Sequence, residues 1–193
     1  FDAWIRFDSF PTTTGHRAVI WSSSSASITT NNIEFGVRKA SSTTFTFYWR
    51  NKAHSTEYRD LAYTVFDTSD FTGEYHHIAL VRNQSLGAFY LYIDGVYIRA
   101  NSSGTLYITD TDVTYDANHN FWLGYGAESV TGTGTLEGYL DDVRITSDER
   151  YTENFAPPSG PLSYQGSSPS SSGGSGSPSY ADNAGIATVA QGL

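Results

Sequence analysis

Apolar and polar residues alternate with period two along most of residues 1–156. Phe1, Ala3, Ile5 and Phe7 share one face, and Asp2, Trp4 and Arg6 the other. Ile33, Phe35 and Val37 alternate with Glu34, Gly36 and Arg38, and Phe45, Phe47 and Trp49 with Thr46, Tyr48 and Arg50. Phe89, Leu91 and Ile93 alternate with Tyr90 and Tyr92. Successive side chains of a strand point to opposite faces, so this pattern predicts half-buried strands. Asp94-Gly95 follows directly and 96–99 resumes the alternation, which predicts a hairpin with a primed turn that needs positive φ. Further strands are predicted at 16–22, 58–65, 75–82, 120–125 and 136–146, and no segment keeps helical periodicity for three turns.

About ten strands with no helices to cross between them pair antiparallel and pack as two sheets. The predicted fold class is therefore all-β, an antiparallel two-sheet β-sandwich or jelly roll. The pattern stops at the Pro157-Pro158 pair. Between Pro157 and Ala181, 20 of 25 residues are Ser, Gly or Pro, and Arg150 is the last cation of the chain. Such a stretch has too little apolar surface to offset its ordering entropy. The predicted organisation is a domain over 1–158, a linker over 159–181, and a small-residue tail over 182–193 that starts another module or orders against neighbouring chains.

The 193 residues carry 11 Lys plus Arg against 20 Asp plus Glu, a formal net charge of −9, and no Cys. Nineteen of the acids and all the cations precede Pro157, so the domain holds −8 and the tail contributes Asp182 alone. Scattered cations on an acidic chain argue against nucleic acid as partner. The absence of Cys excludes disulfides, thiolate metal sites and a cysteine nucleophile. No apolar run approaches the roughly 20 residues of a membrane span, and no signal-peptide pattern opens the chain, so membrane insertion is not expected. Opening at Phe1 rather than Met, the chain is expected to be a piece of a longer one.

Three segments carry a family resemblance. Tyr75-His-His-Ile-Ala-Leu-Val-Arg82, leading into Phe89-Tyr-Leu-Tyr-Ile-Asp-Gly95, resembles the paired central strands of laminin-G-like, concanavalin A-like jelly rolls. Gly138-Tyr-Leu-Asp-Asp-Val-Arg-Ile-Thr146 resembles their last strand, and Arg150-Tyr-Thr-Glu-Asn-Phe-Ala-Pro-Pro158 the segment that closes them. Tyr75 stands where many relatives have Trp. The relatives also carry a strand or two before the one resembling 2–7, and their first and last strands lie side by side. The resemblance therefore implies an open edge on strand 136–146, to be covered by preceding residues or by a neighbouring subunit. The closing segment, Ser/Gly linker and tail are similar to those of bacteriophage tail-fibre and virion structural proteins. That context implies an extracellular or virion-surface location and an oligomer whose partners are further copies or other fibre proteins.

Glycosidases on this fold use paired carboxylates in a Glu-x-Asp-x-x-Glu arrangement. The nearest match, Glu137 with Asp141 and Asp142, has the wrong order and spacing, and adjacent strand residues cannot meet one substrate. No enzymatic activity is expected. If Val143 and Ile145 face the core, Tyr139 and Asp141 do too, and the Asp141 carboxylate then needs loop N–H donors or a cation. Asp110, Asp112, Asp116, Asn118 and Asn120 form the richest cluster of hard oxygen donors. Related jelly rolls hold calcium at one rim, so calcium is the cofactor left open, against an ordinary Asx-rich turn. His76 and His77 are neighbours on a strand and cannot chelate one ion; His16, His54 and His119 are isolated. Nucleophile-elbow and phosphate-loop motifs are missing.

Trp4, Tyr48, Tyr90, Tyr92 and Tyr97 fall opposite the most apolar alternation, near Arg6, Arg50 and Arg99. They could stack sugar rings or form a protein interface, or be a second core layer. Asn83-Gln-Ser85 and Asn101-Ser-Ser103 are glycosylation sequons in the right compartment. The expected function is a non-catalytic adhesion or recognition module that binds glycan or receptor weakly and multivalently. The alternative is a purely structural fibre or capsid-decoration subunit that assembles through its sheet edge and tail.

Overall fold

In the computed structural model the described residues are 1–24, 33–51, 59–61, 65–83, 85–98, 106–107, 120–125 and 133–158. They contain thirteen strands and no helix. These are β1 (Asp2–Phe7), β2 (Arg17–Ser24), β3 (Ile33–Lys39), β4 (Thr44–Asn51), β5 (Arg59–Asp60), β6 (Phe66–Asp67), β7 (Tyr75–Asn83), β8 (Ala88–Ile93), β9 (Val96–Ile98), β10 (Leu106–Tyr107), β11 (Asn120–Leu123), β12 (Thr133–Gly134) and β13 (Gly138–Arg144). One six-stranded sheet runs β10-β8-β7-β1-β13, with β9 also on β8. A seven-stranded sheet runs β11-β2-β3-β4-β5, with β12 also on β2 and β6 on β4. All pairs of named strands are antiparallel except β12 with β2. The all-β sandwich is the expected fold.

The alternation places the inner face correctly. Ala3, Ile5, Phe7, Ile78, Leu80, Phe89 and Leu91 of one sheet pack against Ile20, Trp21, Phe35, Val37, Phe45, Phe47 and Trp49 of the other in one buried cluster. Phe45 lies edge-on to Phe47 and to Phe71, at 5.5 and 5.1 Å between centroids, geometry that the ring quadrupoles favour. The predicted 94–95 turn also forms, with Asp94 at φ 50° and Gly95 at φ 76°. Gly95 is required twice over, because a Cβ there would stand 1.9 Å from the carbonyl oxygen of Phe155.

Two features depart from the strict alternation. β13 bulges at Asp142, which adopts φ 50°, while its register against β1 shifts between Asp2 and Trp4. Tyr139 pairs Arg6 and Asp141 pairs Trp4 on the outer face, whereas Leu140 and Val143 pack on the core. The expectation that Tyr139, Asp141, Val143 and Ile145 share the inner face is thus corrected: one inserted residue flips Tyr139 and Asp141 before it, and Ile145, past the end of β13, is 59% exposed. The Asp141 carboxylate accepts the backbone N–H of Asp142 at 2.9 Å, a local cap of the bulge. Of the predicted strand 58–65, the described residues hold the two-residue β5, and residues 58 and 62–64 lie outside the described residues.

β1 and β13 lie side by side, and among the described residues β13 ends its sheet. Its edge is not a plain invitation to pair, because the bulge twists it and Asp141 and Asp142 place adjacent carboxylates there.

Candidate aromatic cleft and edge platform

At one end of the sandwich the two sheets part to form a cleft of about 420 Å³. Each wall comes from a strand end. Trp21 and Ser23 close β2, Trp49 closes β4, Phe89 opens β8, Phe121 sits on β11, and Leu80 to Arg82 come from β7. The segment from Ile145 to Asp148, with Arg150 and Tyr151, forms the rim. Trp21 meets Trp49 edge-on at 5.6 Å and stacks on Phe121 at 5.4 Å, and Trp49 lies 4.5 Å from Phe89. Trp21 is only 7% exposed and Trp49 3%, and neither indole N–H meets an acceptor among the described residues. The indole N–H of Trp4 is buried in the same condition, so this is not peculiar to the cleft.

β11 links the cleft to the outside. It occupies the edge of its sheet, pairing only with β2 among the described strands. Phe121 faces Trp21 in the cleft, so its neighbour Trp122 must point to the outer face, opposite Ser22. Gly124, at φ 67°, turns the chain and its N–H bonds to Ile20, while the Ser22 hydroxyl donates to the carbonyl of Tyr125 at 2.9 Å. Tyr125 is thereby held 6.0 Å from Trp122, and the two rings are 47% and 41% exposed. Two large rings fixed by backbone bonds yet open to solvent make a platform for the C–H face of a sugar or a partner side chain.

The buried carboxylates near these features are committed to cations. Asp2, one of the residues lining the cleft, receives Arg144 at 2.6 Å and lies 3.6 Å from His77. Burial pushes its carboxyl up, but hydrogen bonds from His77 and Arg144 and their charges outweigh this and hold it below the usual Asp range. On the outer face of the seven-stranded sheet, fully buried Glu34 takes Arg17 at 2.8 Å and lies 3.6 Å from Arg50.

A family model for the concanavalin A-like lectin/glucanases superfamily, Laminin_G_3, matches residues 1–154. The chain belongs to the concanavalin A-like lectin/glucanase superfamily. Among solved structures it is similar to the native heptameric SAP-like pentraxin from Limulus polyphemus, with a TM-score of 0.45 and 16% identity. That match covers 75% of this chain and 64% of the pentraxin chain, so this chain spans less than two thirds of it. No curated protein matches the chain.

In this lectin/glucanase-superfamily domain the five aromatics expected to bind ligand do not form one surface. Trp4 is buried beside His77 at 5.4 Å, and Tyr92 is buried under Tyr151 and Phe155. Tyr48 is fully buried on the other sheet, its hydroxyl 3.5 Å from Glu34. Tyr90 and Tyr97 are half-buried, 5.7 Å apart. The stacking role expected of Trp4, Tyr48 and Tyr92 is corrected by their burial: the closing segment lies over Tyr92, and a ring without an open face cannot receive a sugar. The exposed ring pair that the alternation did not single out is Trp122 with Tyr125. Their signal was the adjacent pair Phe121-Trp122, since two neighbouring rings on a strand must face opposite ways.

Of the calcium donors, Asn120 stands exposed at the start of β11, while Asp110, Asp112, Asp116 and Asn118 lie outside the described residues. Among the described residues no three His, Cys, Asp or Glu are grouped to hold a metal ion. No helix among the described residues is long and apolar enough to cross a membrane.

Proposed function

We propose that this chain is a non-catalytic recognition module of an extracellular fibre or virion surface, binding glycan or receptor weakly and gaining strength from multiple copies. The observation that carries the reading is the exposed Trp122–Tyr125 pair on the strand that also walls the aromatic cleft. Sugars present apolar C–H faces and a ring of hydroxyls. Rings supply the first contact, and Ser23, Asp148 and Arg150 at the cleft supply polar partners for the second. Each such site binds shallowly, and linking copies raises the effective concentration.

Absence of catalysis follows the same chemistry. A glycosidase needs a carboxyl kept protonated by a raised pKa beside an ionised partner. Asp2 is shifted the opposite way, and Glu34 is locked between Arg17 and Arg50. A glycan array with the full chain tests the proposal. Retention of a defined glycan set, lost in Trp122→Ala and Tyr125→Ala while each variant keeps a cooperative thermal transition, supports it. Silence on the array together with no competition for cell adsorption overturns it, and release of reducing sugar from a bound glycan overturns the non-catalytic part.

The purely structural alternative places assembly on the edge of β13. The bulge and the adjacent carboxylates Asp141 and Asp142 weigh against two such edges pairing. Light scattering separates the readings: a fixed oligomer that dissociates when residues 159–193 are removed favours the structural one.

A further inference from the structure

We propose that the edge platform selects glycans whose successive sugars are turned against one another, as in an α-linked glucan, over flat β-linked ribbons. This rests on the glycan reading above and names the class of linkage. Trp122 and Tyr125 lie 6.0 Å apart between centroids, and their planes are inclined at 54°. A sugar stacks when the C–H face of its ring lies parallel to an aromatic plane. Two aromatic planes at that inclination therefore ask for two sugar faces inclined in the same way. An equatorial β-linkage keeps successive pyranose rings close to one plane, so a ribbon lying on Trp122 meets Tyr125 without a parallel face to offer it. The axial bond of an α-linkage turns each ring against the last and coils the chain. A sugar seated on one aromatic ring then leads its neighbour onto the other.

The backbone sets this arrangement. In a straight continuation of β11, Tyr125 would stand three positions after Trp122 and face the opposite side of the sheet. Gly124 prevents that by turning at φ 67°, a conformation that a residue with a Cβ rarely adopts. Its N–H donates to Ile20 and its carbonyl accepts from Leu136, each at 2.8 Å. Ser22 anchors both ring-bearing positions. Its backbone lies opposite Trp122 in the β2–β11 ladder, and its hydroxyl donates to the carbonyl of Tyr125 at 2.9 Å. Ser22 is fully buried, so it touches no ligand and acts on recognition only as a positioning residue.

Maltohexaose and cellohexaose contain the same glucose units and differ in linkage, so they isolate the angle. Each is titrated into the ¹⁵N-labelled full chain and followed by the indole N–H signal of Trp122, which the spectrum of Trp122→Phe assigns. The expected result is half-saturation with maltohexaose at about tenfold lower concentration than with cellohexaose, the worth of one ring contact. Ser22→Ala keeps both rings and releases the Tyr125 carbonyl, and it is expected to narrow that ratio to about threefold or less. An equal response to the two sugars, or a stronger one to cellohexaose, overturns the linkage proposal while glycan recognition stands. No response to either also overturns it, and the glycan array then decides the wider reading by itself. An unchanged ratio in a folded Ser22→Ala overturns the positioning role. If Ser22→Ala unfolds, the wild-type ratio still decides the linkage proposal.

Discussion

On the outer face of the six-stranded sheet, Ala79, Val81 and Tyr92 are covered by Tyr151 and Phe155 of the closing segment, whose rings stack at 3.6 Å and 6°. On the outer face of the seven-stranded sheet, the corresponding alternate positions hold Arg17, Glu34, Tyr48 and Arg50, all buried as an ionic and hydrogen-bonded group. Both faces come from the same period-two pattern and both are closed to water, by opposite chemistry. An aromatic cover gains from each ring roughly in proportion to the area it buries, so it weakens by degrees. A buried charge group is sensitive to a missing member, because the partner left behind loses that counter-charge without regaining water. The two faces should accordingly fail in different ways.

The largest expected effect breaks the ionic face. Glu34→Ala leaves the Arg17 and Arg50 guanidiniums buried without their shared carboxylate, and about 3–5 kcal/mol of stability should be lost in urea unfolding. A loss below about 1 kcal/mol would show that this face is wet and erase the contrast.

Next comes the aromatic cover. Phe155→Ala removes one half-buried ring and should cost about 2 kcal/mol. Gly95→Ala should release the same segment by a different route, since the new Cβ meets the Phe155 carbonyl and φ 76° strains any side chain. In both variants limited proteolysis should cut near 147–158 well below the midpoint of unfolding; cutting only upon global unfolding would mean the cover is not a separable unit.

Titration sharpens the comparison at smaller amplitude. Burial pushes the Tyr92 phenol up to about 12, helped by the neighbouring Tyr97 and Tyr90 and by Glu149 and Glu153. Above its ordinary value near 10 the unfolded chain ionises first, so this contribution is complete below pH ~10 and is lost as pH rises towards 12. Asp2 works in the other sense. Its folded carboxyl sits below the ordinary value of 3.8, so its contribution is complete above that value and lost as pH falls through the folded one. Phe155→Ala should flatten the alkaline limb and leave the acid limb unchanged.

The smallest effect on stability belongs to the edge platform. Trp122→Ala should cost about 1 kcal/mol, less than Phe155→Ala, because its ring is 41% exposed, while removing glycan retention. A large stability change would make Trp122 a packing residue instead.

The inner faces were legible because they depend on spacing alone: Phe45, Phe47 and Trp49 have to share a side. The bulge at Asp142 was not legible, since nothing in Tyr-Leu-Asp-Asp-Val-Arg announces an inserted residue, and the error it caused ran through Tyr139 and Asp141, while Ile145 lies past the end of β13. The ligand surface was misplaced for a related reason. Period two names two faces and says which is more apolar, but it does not say which face a later segment covers. Tyr92 was hidden by residues some sixty positions further along the chain, through a bond from its hydroxyl to the carbonyl of Tyr151.

By itself the sequence determined the strand class, the two-sheet architecture and the residues of the central core, all of which follow from local alternation and turn chemistry. Tertiary structure alone decided that Trp4, Tyr48 and Tyr92 are buried, that Trp122 and Tyr125 are open, and that Trp21, Trp49 and Phe121 line one cleft. Exposure is a property of what packs where along the whole chain, and edge position, bulges and covering segments are set by long-range contacts that no short pattern encodes.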